Sequence, residues 1–172
     1  MKSTNKIIKL VTAALFAAIT CVVTMFLPIK IPIAAGGYIH PGDAFVLLSG
    51  IILGPLYGGL AAGIGSMLSD IFLGYIPYAP ATFVIKAIAA VVAAYSYRHI
   101  RKGSVIFSGV FVGITVTVGY YIYESFVIYG NLVTPLLSAG FNLIQNVMGI
   151  VLGAIILPLL KKVPQIKAMI EE

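Results

Sequence analysis

Residues 44–73 have the sequence AFVLLSGIILGPLYGGLAAGIGSMLSDIFL, an apolar stretch that Gly54 and Pro55 interrupt near its middle. Glycine followed by proline breaks a helix, so the stretch divides into apolar runs at 44–54 and 56–73. The first run is short: as a helix, its roughly eleven residues reach about 17 Å, against about 30 Å for the hydrocarbon of a bilayer. We therefore expect either a half-depth helix or a kinked hairpin with the second run.

The rest of the chain is equally apolar. Of its 172 residues, 60% are hydrophobic and only 9% are charged, whereas a soluble domain has about 25% charged residues. Four further apolar runs are near or above the length of a membrane-spanning helix: 7–27, 81–97, 104–126 and 135–160. We predict an all-α integral membrane bundle of six transmembrane helices, with residues 1–172 forming a single domain.

The basic residues indicate how the helices are oriented. Nine of them lie in three clusters beside the apolar runs: Lys2, Lys6 and Lys9; Arg98, Arg101 and Lys102; Lys161, Lys162 and Lys167. Six spans bring all three clusters to one side, which the positive-inside rule makes cytoplasmic together with both termini. The net charge of +6 is then topological, and we expect no nucleic-acid partner. A cleaved signal peptide is disfavoured because the first run is longer than a typical signal sequence.

Four ionisable residues lie at or inside the apolar runs: Asp43, Asp70, Lys86 and Glu124. A charge at the bilayer centre costs at least about 2.5 to 3.5 kcal/mol, so these groups need partners or water. The six-helix topology places all four in the outer half of the membrane. Two structural alternatives stay open: Asp43 can cap the second span, and Asp70 and Lys86 can neutralise one another between helices.

The last span adds an amide face. Asn142, Gln145 and Asn146 are spaced i, i+3 and i+4, so they share one side of a helix. Seven of the ten tyrosines also fall on the outer side: Tyr38, Tyr75, Tyr78, Tyr120, Tyr121, Tyr123 and Tyr129. Groups of these types at one depth predict a polar cavity open to the outside, although helix–helix hydrogen bonds and an interfacial aromatic belt are the alternatives. The candidate ligand-binding residues are Glu124, Asn142, Gln145, Asn146, Tyr120, Tyr121, Tyr78, Lys86, Asp70 and His40.

Small residues line one part of the first span. Ala13, Ala14, Ala17 and Ala18 form two interleaved AxxxA spacings, a flat strip that lets another helix approach closely. This alanine strip adjoins the cytoplasmic end, opposite the expected cavity. We expect Ala14 and Ala18 to dock a partner helix.

The chain resembles a known family in four segments. They are TAALFAAIT at 12–20, GGYIHPGDAFVLLSGIILGPLYGGLAAGIGSMLSDIFLGYIPYAPATFVIKAIAA at 36–90, GYYIYESFVIYG at 119–130 and NLIQNVMG at 142–149. The resemblance is to the membrane-embedded substrate-binding (S) components of energy-coupling factor (ECF) vitamin transporters, and it covers nearly the whole chain. Within the family, the chain is most similar to the branch for hydroxymethylpyrimidine and pyridoxine, with riboflavin-type members nearby.

The resemblance implies a multi-pass protein of the bacterial plasma membrane that binds a vitamin near its outer face without a cofactor or metal. Loops around Ile29 to Gly42 and Gly74 to Ala79 would cover the ligand. Ala14 and Ala18 would dock on a transmembrane coupling (T) component, and two cytoplasmic ATPases would drive the delivery of the vitamin inward. The pocket candidates by the same resemblance are Glu124, Asn142, Gln145 and Asn146.

Other functions are less compatible with the sequence. A self-sufficient secondary transporter typically shows internal repeats, and this chain has no convincing one. A membrane enzyme needs a nucleophile with a base, or a metal cluster, and the chain contains no HExxH, no Cys/His cluster and no GxxxxGK[ST]. We therefore expect a binding subunit without enzyme activity. A riboflavin-specific S component remains an alternative.

Overall fold

The computed structural model describes residues 2–30, 38–100 and 103–171, and these are almost entirely helical. A two-residue antiparallel ladder joins β1 (Ile29–Lys30) to β2 (Tyr38–Ile39). The helices are α1 (Lys2–Phe26), α2 (Asp43–Leu73), α3 (Ala79–Tyr95), α4 (Val105–Tyr123), α5 (Pro135–Leu160) and α6 (Pro164–Glu171). Single π-helical turns extend α3 (Ser96–Ile100) and α4 (Glu124–Ile128).

Five helical segments of the described residues are long and apolar enough to cross a membrane. They are Lys6–Phe26, Asp43–Leu73, Ala79–Ile100, Val105–Ile128 and Pro135–Leu160. The last of these coincides with the predicted run 135–160. Helix α6 was not predicted, because its eight residues form an amphipathic turn rather than an apolar run.

Helix α2 is broken at Gly54, whose backbone has φ +79° and ψ −174°. This region of backbone space is open essentially to glycine alone. We call residues 43–53 the first limb of α2 and residues 55–73 the second limb. The break lies where the glycine–proline pair predicted it, so the fold-determining signal of the sequence is local.

The two limbs run antiparallel. Along the first limb, Asp43 contacts Lys86 and Gly50 lies against Ala90 of α3. Along the second limb, Gly59 lies against Ala87 and Gly63 against Phe83 of the same helix. The residue numbers contacted on α3 therefore increase along the first limb and decrease along the second, so the two limbs run in opposite directions. Of the two arrangements expected, the kinked hairpin is confirmed.

The limbs touch directly beside the turn. The Ser49 hydroxyl is 3.1 Å from the carbonyl oxygen of Gly58 and donates to the Val46 carbonyl at 2.8 Å. A Cβ atom at Gly58 would clash with the Ser49 carbonyl oxygen. Glycine at this position therefore allows the close approach of the two backbones.

Gly54→Ala is expected to destabilise the protein by about 1 to 3 kcal/mol, because alanine rarely adopts the backbone conformation of the turn. Gly140→Ala is the matched control: Gly140 is exposed within α5, and beyond its own stretch of helix no atom of the described residues lies within 4 Å of the added methyl group. That control should be neutral or slightly stabilising, since glycine disfavours a helix interior. Unfolding of both variants by SDS titration in mixed micelles checks the prediction, and equal stability would show that the hairpin does not need glycine.

Small residues let the helices pack closely, and many large apolar residues face outward. Ala89, Ala90 and Ala93 of α3 are fully buried, and Ala90 and Ala93 lie against Gly50 of α2. On the outside of α5, Val147, Val151 and Ile155 are more than half exposed at a spacing of four residues. An apolar surface on a membrane-spanning helix is suited to lipid, so the bundle presents apolar faces to lipid and keeps its polar groups inside.

Candidate ligand-binding site

A buried ion pair lies where the first limb of α2 meets α3. Lys86 Nζ is 2.5 Å from Asp43 Oδ1, and the two side chains are 1% and 2% exposed. Gln145 of α5 donates its amide N–H to the other carboxylate oxygen at 2.8 Å. The Lys86 ammonium also lies 5.4 Å from the ring centroid of Tyr120. The start of the first limb of α2 is thus joined to α3, α4 and α5 through one satisfied charge pair.

This geometry overturns two alternatives. Gly42 occupies the N-cap position of α2 and no side chain caps the helix, so Asp43 is not a capping residue. The ion-pair partner of Lys86 is Asp43 and not Asp70, because the hairpin brings the start of the first limb against α3. Asp70 is buried in the last turns of the second limb, where its carbonyl oxygen accepts from the Tyr75 N–H.

His40 connects this charge pair to α1. Its backbone N–H donates to Gln145 Oε1 at 3.1 Å, and its Nδ1 accepts from the Gly42 N–H at 3.2 Å. Thr24 of α1 lies 3.2 Å from the same ring nitrogen. Burial lowers the pKa of His40 to about 4 against an opposing effect of Asp43, so the ring is neutral at pH 7, which agrees with Nδ1 as the acceptor of the Gly42 N–H.

Asn146 holds α5 against α4 and has an open acceptor. Its amide nitrogen donates to the Gly113 carbonyl at 2.9 Å and to Thr117 Oγ1 at 3.0 Å. Its Oδ1 is buried and has no hydrogen-bond partner among the described residues. A buried acceptor without a donor is costly, so this oxygen is suited to a donor from a ligand.

Glu124 presents a second open acceptor. It begins the π-helical turn that follows α4, a conformation found frequently at functional sites. The Tyr78 hydroxyl is 3.4 Å from its Oε1, and Ser138 of α5 lies beside the carboxyl group. Within the described part of the chain, the buried Oε2 has no hydrogen-bond partner. The carboxyl group is therefore held from one side and open on the other.

Tyrosines surround Glu124. The Tyr78 ring makes edge contacts with Tyr75 and Tyr123, at centroid distances of 6.4 and 5.8 Å. Burial and the nearby Glu124 carboxyl raise the pKa of Tyr78 above its usual range, so its hydroxyl stays protonated. Tyr120, one turn along α4, has its hydroxyl 2.8 Å from Thr82 Oγ1. These rings give the candidate site an aromatic wall.

The polar groups do not lie at one depth, as the sequence had suggested. Asn146 bonds to α4 at Gly113 and Thr117, whereas Glu124 lies seven residues beyond Thr117, about 10 Å further along the helix. Gln145 points to Asp43 instead. The candidate site is thus a column of polar groups between α3, α4 and α5 rather than a single layer.

A family match accompanies this geometry. Residues 4–162 match the ECF-type riboflavin transporter, S component, family. The chain belongs to this family. It is therefore a membrane-embedded, vitamin-binding subunit of a transporter. It is also similar to a protein of Pyrococcus woesei that is described as "Uncharacterized protein in gap 3'region". The two are 35% identical over 143 residues, which cover 82% of this chain and 93% of that protein. No solved structure matches the chain.

Other predicted site residues of this S component are placed less centrally. Asn142 is half-buried on α5. Tyr121 donates its hydroxyl to the Leu132 carbonyl at 3.1 Å, in the segment that follows α4. The expected covering loop Ile29 to Gly42 includes residues 31–37, which lie outside the described residues, as do Arg101 and Lys102 of the basic loop.

The sequence did not single out the hydroxyl residues of the S component that complete the site: Thr24, Thr82, Thr117 and Ser138. Serine and threonine are common in membrane helices, where they also bond to their own backbone, so nothing in their spacing distinguishes them. Only the packing of α1, α3, α4 and α5 shows which of them meet polar partners.

The alanine strip on α1 is divided between the inside and the surface. Ala13 is buried at 8% exposure and Ala17 is half-buried, whereas Ala14 and Ala18 are exposed. Because the side chains at these two exposed positions are small, another helix can approach α1 closely there. This surface is separate from the polar column.

Proposed function

We propose that the chain is the substrate-specific subunit of an ECF-type importer and binds a small heteroaromatic vitamin or precursor, of the hydroxymethylpyrimidine or pyridoxine type, from the outside. The observation that carries this proposal is the pair of buried open acceptors, Glu124 Oε2 and Asn146 Oδ1. Each buried acceptor without a partner costs about 1 to 3 kcal/mol. A ligand that donates an N–H or O–H to either acceptor removes that acceptor's cost on binding.

The aromatic wall supports a planar ligand. Tyr78, Tyr120 and Tyr123 lie around Glu124 and offer ring faces and edges to a flat heterocycle. Ligand pockets typically combine such apolar walls with a few polar groups that fix orientation. Pyrimidines and pyridines with amino or hydroxymethyl substituents have both the flat ring and the donors.

A thermal-shift screen of the purified chain tests the substrate class. We expect stabilisation by hydroxymethylpyrimidine or pyridoxine at low ligand concentration, since a ligand that binds only the folded state raises its stability. Riboflavin belongs in the same screen as the second candidate, because the matching family is described by that vitamin. Stabilisation by riboflavin alone would replace the smaller ligands with it, and no response to any vitamin would contradict the proposal.

Asn146→Ala is expected to weaken binding of the identified vitamin by about tenfold or more, which corresponds to about 1.4 kcal/mol. The variant removes the open Oδ1 acceptor, which the ligand is proposed to use. Thr117→Val is the matched control: it removes a partner of the Asn146 amide nitrogen but leaves the acceptor oxygen in place. Titration calorimetry on the purified variants checks the difference. Unchanged affinity in both Asn142→Ala and Asn146→Ala would leave the amide face as a contact between helices.

The proposed orientation has six passes, with the two limbs of α2 counted separately and both termini cytoplasmic. The three basic clusters then lie on the cytoplasmic side. A cysteine introduced at Arg101, in a chain without Cys21, should resist an impermeant thiol reagent added to intact cells. A cysteine at the exposed Leu132 should be labelled. Labelling from outside at position 101 would show that the orientation is the reverse of the one proposed.

Energy for transport would come from partners. We propose that the chain docks on a T component that carries two cytoplasmic ATPases, with Ala14 and Ala18 at the contact. Both alanines are exposed on α1 and lie away from the polar column. A self-sufficient secondary transporter is the competing function, and it predicts uptake by this chain alone.

A further inference from the structure

A second polar site lies at the opposite end of α5 from its Pro135 terminus. The last turn of α5 and helix α6 enclose a cleft of about 380 Å³. Its lining residues are Pro158, Lys161, Lys162, Lys167, Ile170 and Glu171. We call it the lysine cleft. It shares no residue with the polar column or the alanine strip.

Helix α6 is held in place by its apolar side. Met169 is 6% exposed and belongs to the hydrophobic core, and Ile166 and Ile170 pack against that core. A tight turn joins α5 to α6, in which the Lys162 N–H bonds to the Leu159 carbonyl at 3.2 Å and the Val163 N–H to the Leu160 carbonyl at 3.0 Å. The wall that α6 contributes to the cleft is therefore part of the folded bundle.

The charges of the cleft are mostly uncompensated. The Lys161 ammonium donates to the Tyr97 hydroxyl at 2.9 Å and lies 5.6 Å from the ring centroid, which fixes its position without neutralising it. Lys162 has no ion-pair partner among the described residues. Lys167 is 3.9 Å from Glu171, and both side chains are more than half exposed. Such an exposed pair contributes little to stability. Because the lining carries three lysines and one glutamate, the cleft keeps a net positive charge.

Apolar side chains adjoin these lysines. Leu159 is 57% exposed and Val163 is 42% exposed. They continue the lipid-facing surface of α5 to the level of the cleft, and Pro158 and Ile170 contribute apolar lining inside it. The cleft therefore lies where the apolar belt of the bundle ends and charged groups begin.

We propose that the lysine cleft binds the phosphate headgroup of an anionic phospholipid. Basic pockets beside the ends of membrane helices are suited to anionic headgroups, and lysine is a compact cation for phosphate. The apolar neighbours place the acyl chains of the bound lipid along α5. This combination favours a lipid over free phosphate, which has no use for an apolar wall, and over a soluble protein partner.

Lipid retention by the purified full chain tests the proposal. The protein is incubated with mixed micelles of phosphatidylglycerol and phosphatidylcholine, and the bound lipid is counted by native mass spectrometry. We expect preferential retention of phosphatidylglycerol. Lys162→Gln/Lys167→Gln should reduce that retention by about tenfold or more, since each lysine adds attraction for the headgroup. Lys162→Arg/Lys167→Arg should preserve it.

The control is Lys2→Gln/Lys6→Gln, which removes the same charge from the start of α1. It should leave retention unchanged. Equal losses in the two glutamine variants would overturn the proposal in favour of nonspecific surface charge. Displacement of the lipid by millimolar inorganic phosphate would identify a free-anion site. If Lys162→Gln/Lys167→Gln retains lipid as before but no longer co-purifies with a coupling protein, the cleft is a protein-docking site and the lipid proposal is overturned. No vitamin is present in these measurements, so their outcome does not depend on whether the proposed substrate is correct.

Discussion

Lys86→Met is expected to destabilise the protein by about 3 to 5 kcal/mol, the cost of leaving a buried charge without its partner. Asp43 is 2% exposed and would keep only the hydrogen bond from Gln145. The effect is large because the pair joins the first limb of α2 to α3 and α5 in surroundings with little water. Reversible unfolding by SDS in mixed micelles measures it.

A double variant separates charge from packing. Asp43→Asn retains the shape of the side chain and an acceptor for Gln145 while it removes the charge. Asp43→Asn/Lys86→Met therefore leaves no unpaired charge at this position, and it should recover much of the lost stability, as replacements of whole buried pairs often do. If the double variant is as unstable as the sum of its two single variants, the two charges are not coupled and the ion pair does not hold the limb in place.

Enlargement of the alanine strip is expected to abolish uptake without loss of vitamin binding. Ala14→Leu or Ala18→Leu places a bulky side chain on an exposed surface of α1, where close helix approach needs small residues. The polar column lies between other helices, so the affinity of the isolated chain should change little. Uptake in cells that contain the coupling module and binding to the purified variants are measured in parallel.

Val151→Phe is the control for this experiment. Val151 is 51% exposed on α5, so the change enlarges a side chain on a lipid-facing surface away from α1. It should leave both uptake and binding intact. Equal losses of binding and uptake in the alanine variants would assign the strip to internal folding, as the buried Ala13 and half-buried Ala17 beside it would allow.

Local patterns were sufficient to predict most of the helices. The apolar run 135–160 became α5 without a change of bounds, and Gly54 and Pro55 marked the turn of the α2 hairpin. Both signals depend on chain-local chemistry, namely the length of an apolar run and the inability of a glycine–proline pair to continue a helix. Helix α6 was missed because its stability depends on Met169 and its neighbours packing against the rest of the bundle.

The partners of the polar residues could not be read from the sequence. Asp43 follows a proline and a glycine at the start of a helix, which is typical of a capping residue, yet its carboxylate binds Lys86 and Gln145. Gln145 and Asn146 are adjacent but reach different helices. These pairings are set by how α2, α4 and α5 pack, and sequence spacing along one helix carries no information about that packing.

Uptake by reconstituted proteoliposomes tests the central claim most directly. Vesicles with the purified chain alone are compared with vesicles that also contain a T component and its two ATPases, each supplied with the radiolabelled vitamin and with or without internal ATP. We expect the chain alone to bind the vitamin without accumulating it, and accumulation only when the coupling module and ATP are both present. Accumulation by the chain alone, driven by a sodium or proton gradient, would contradict the account and establish a self-sufficient transporter.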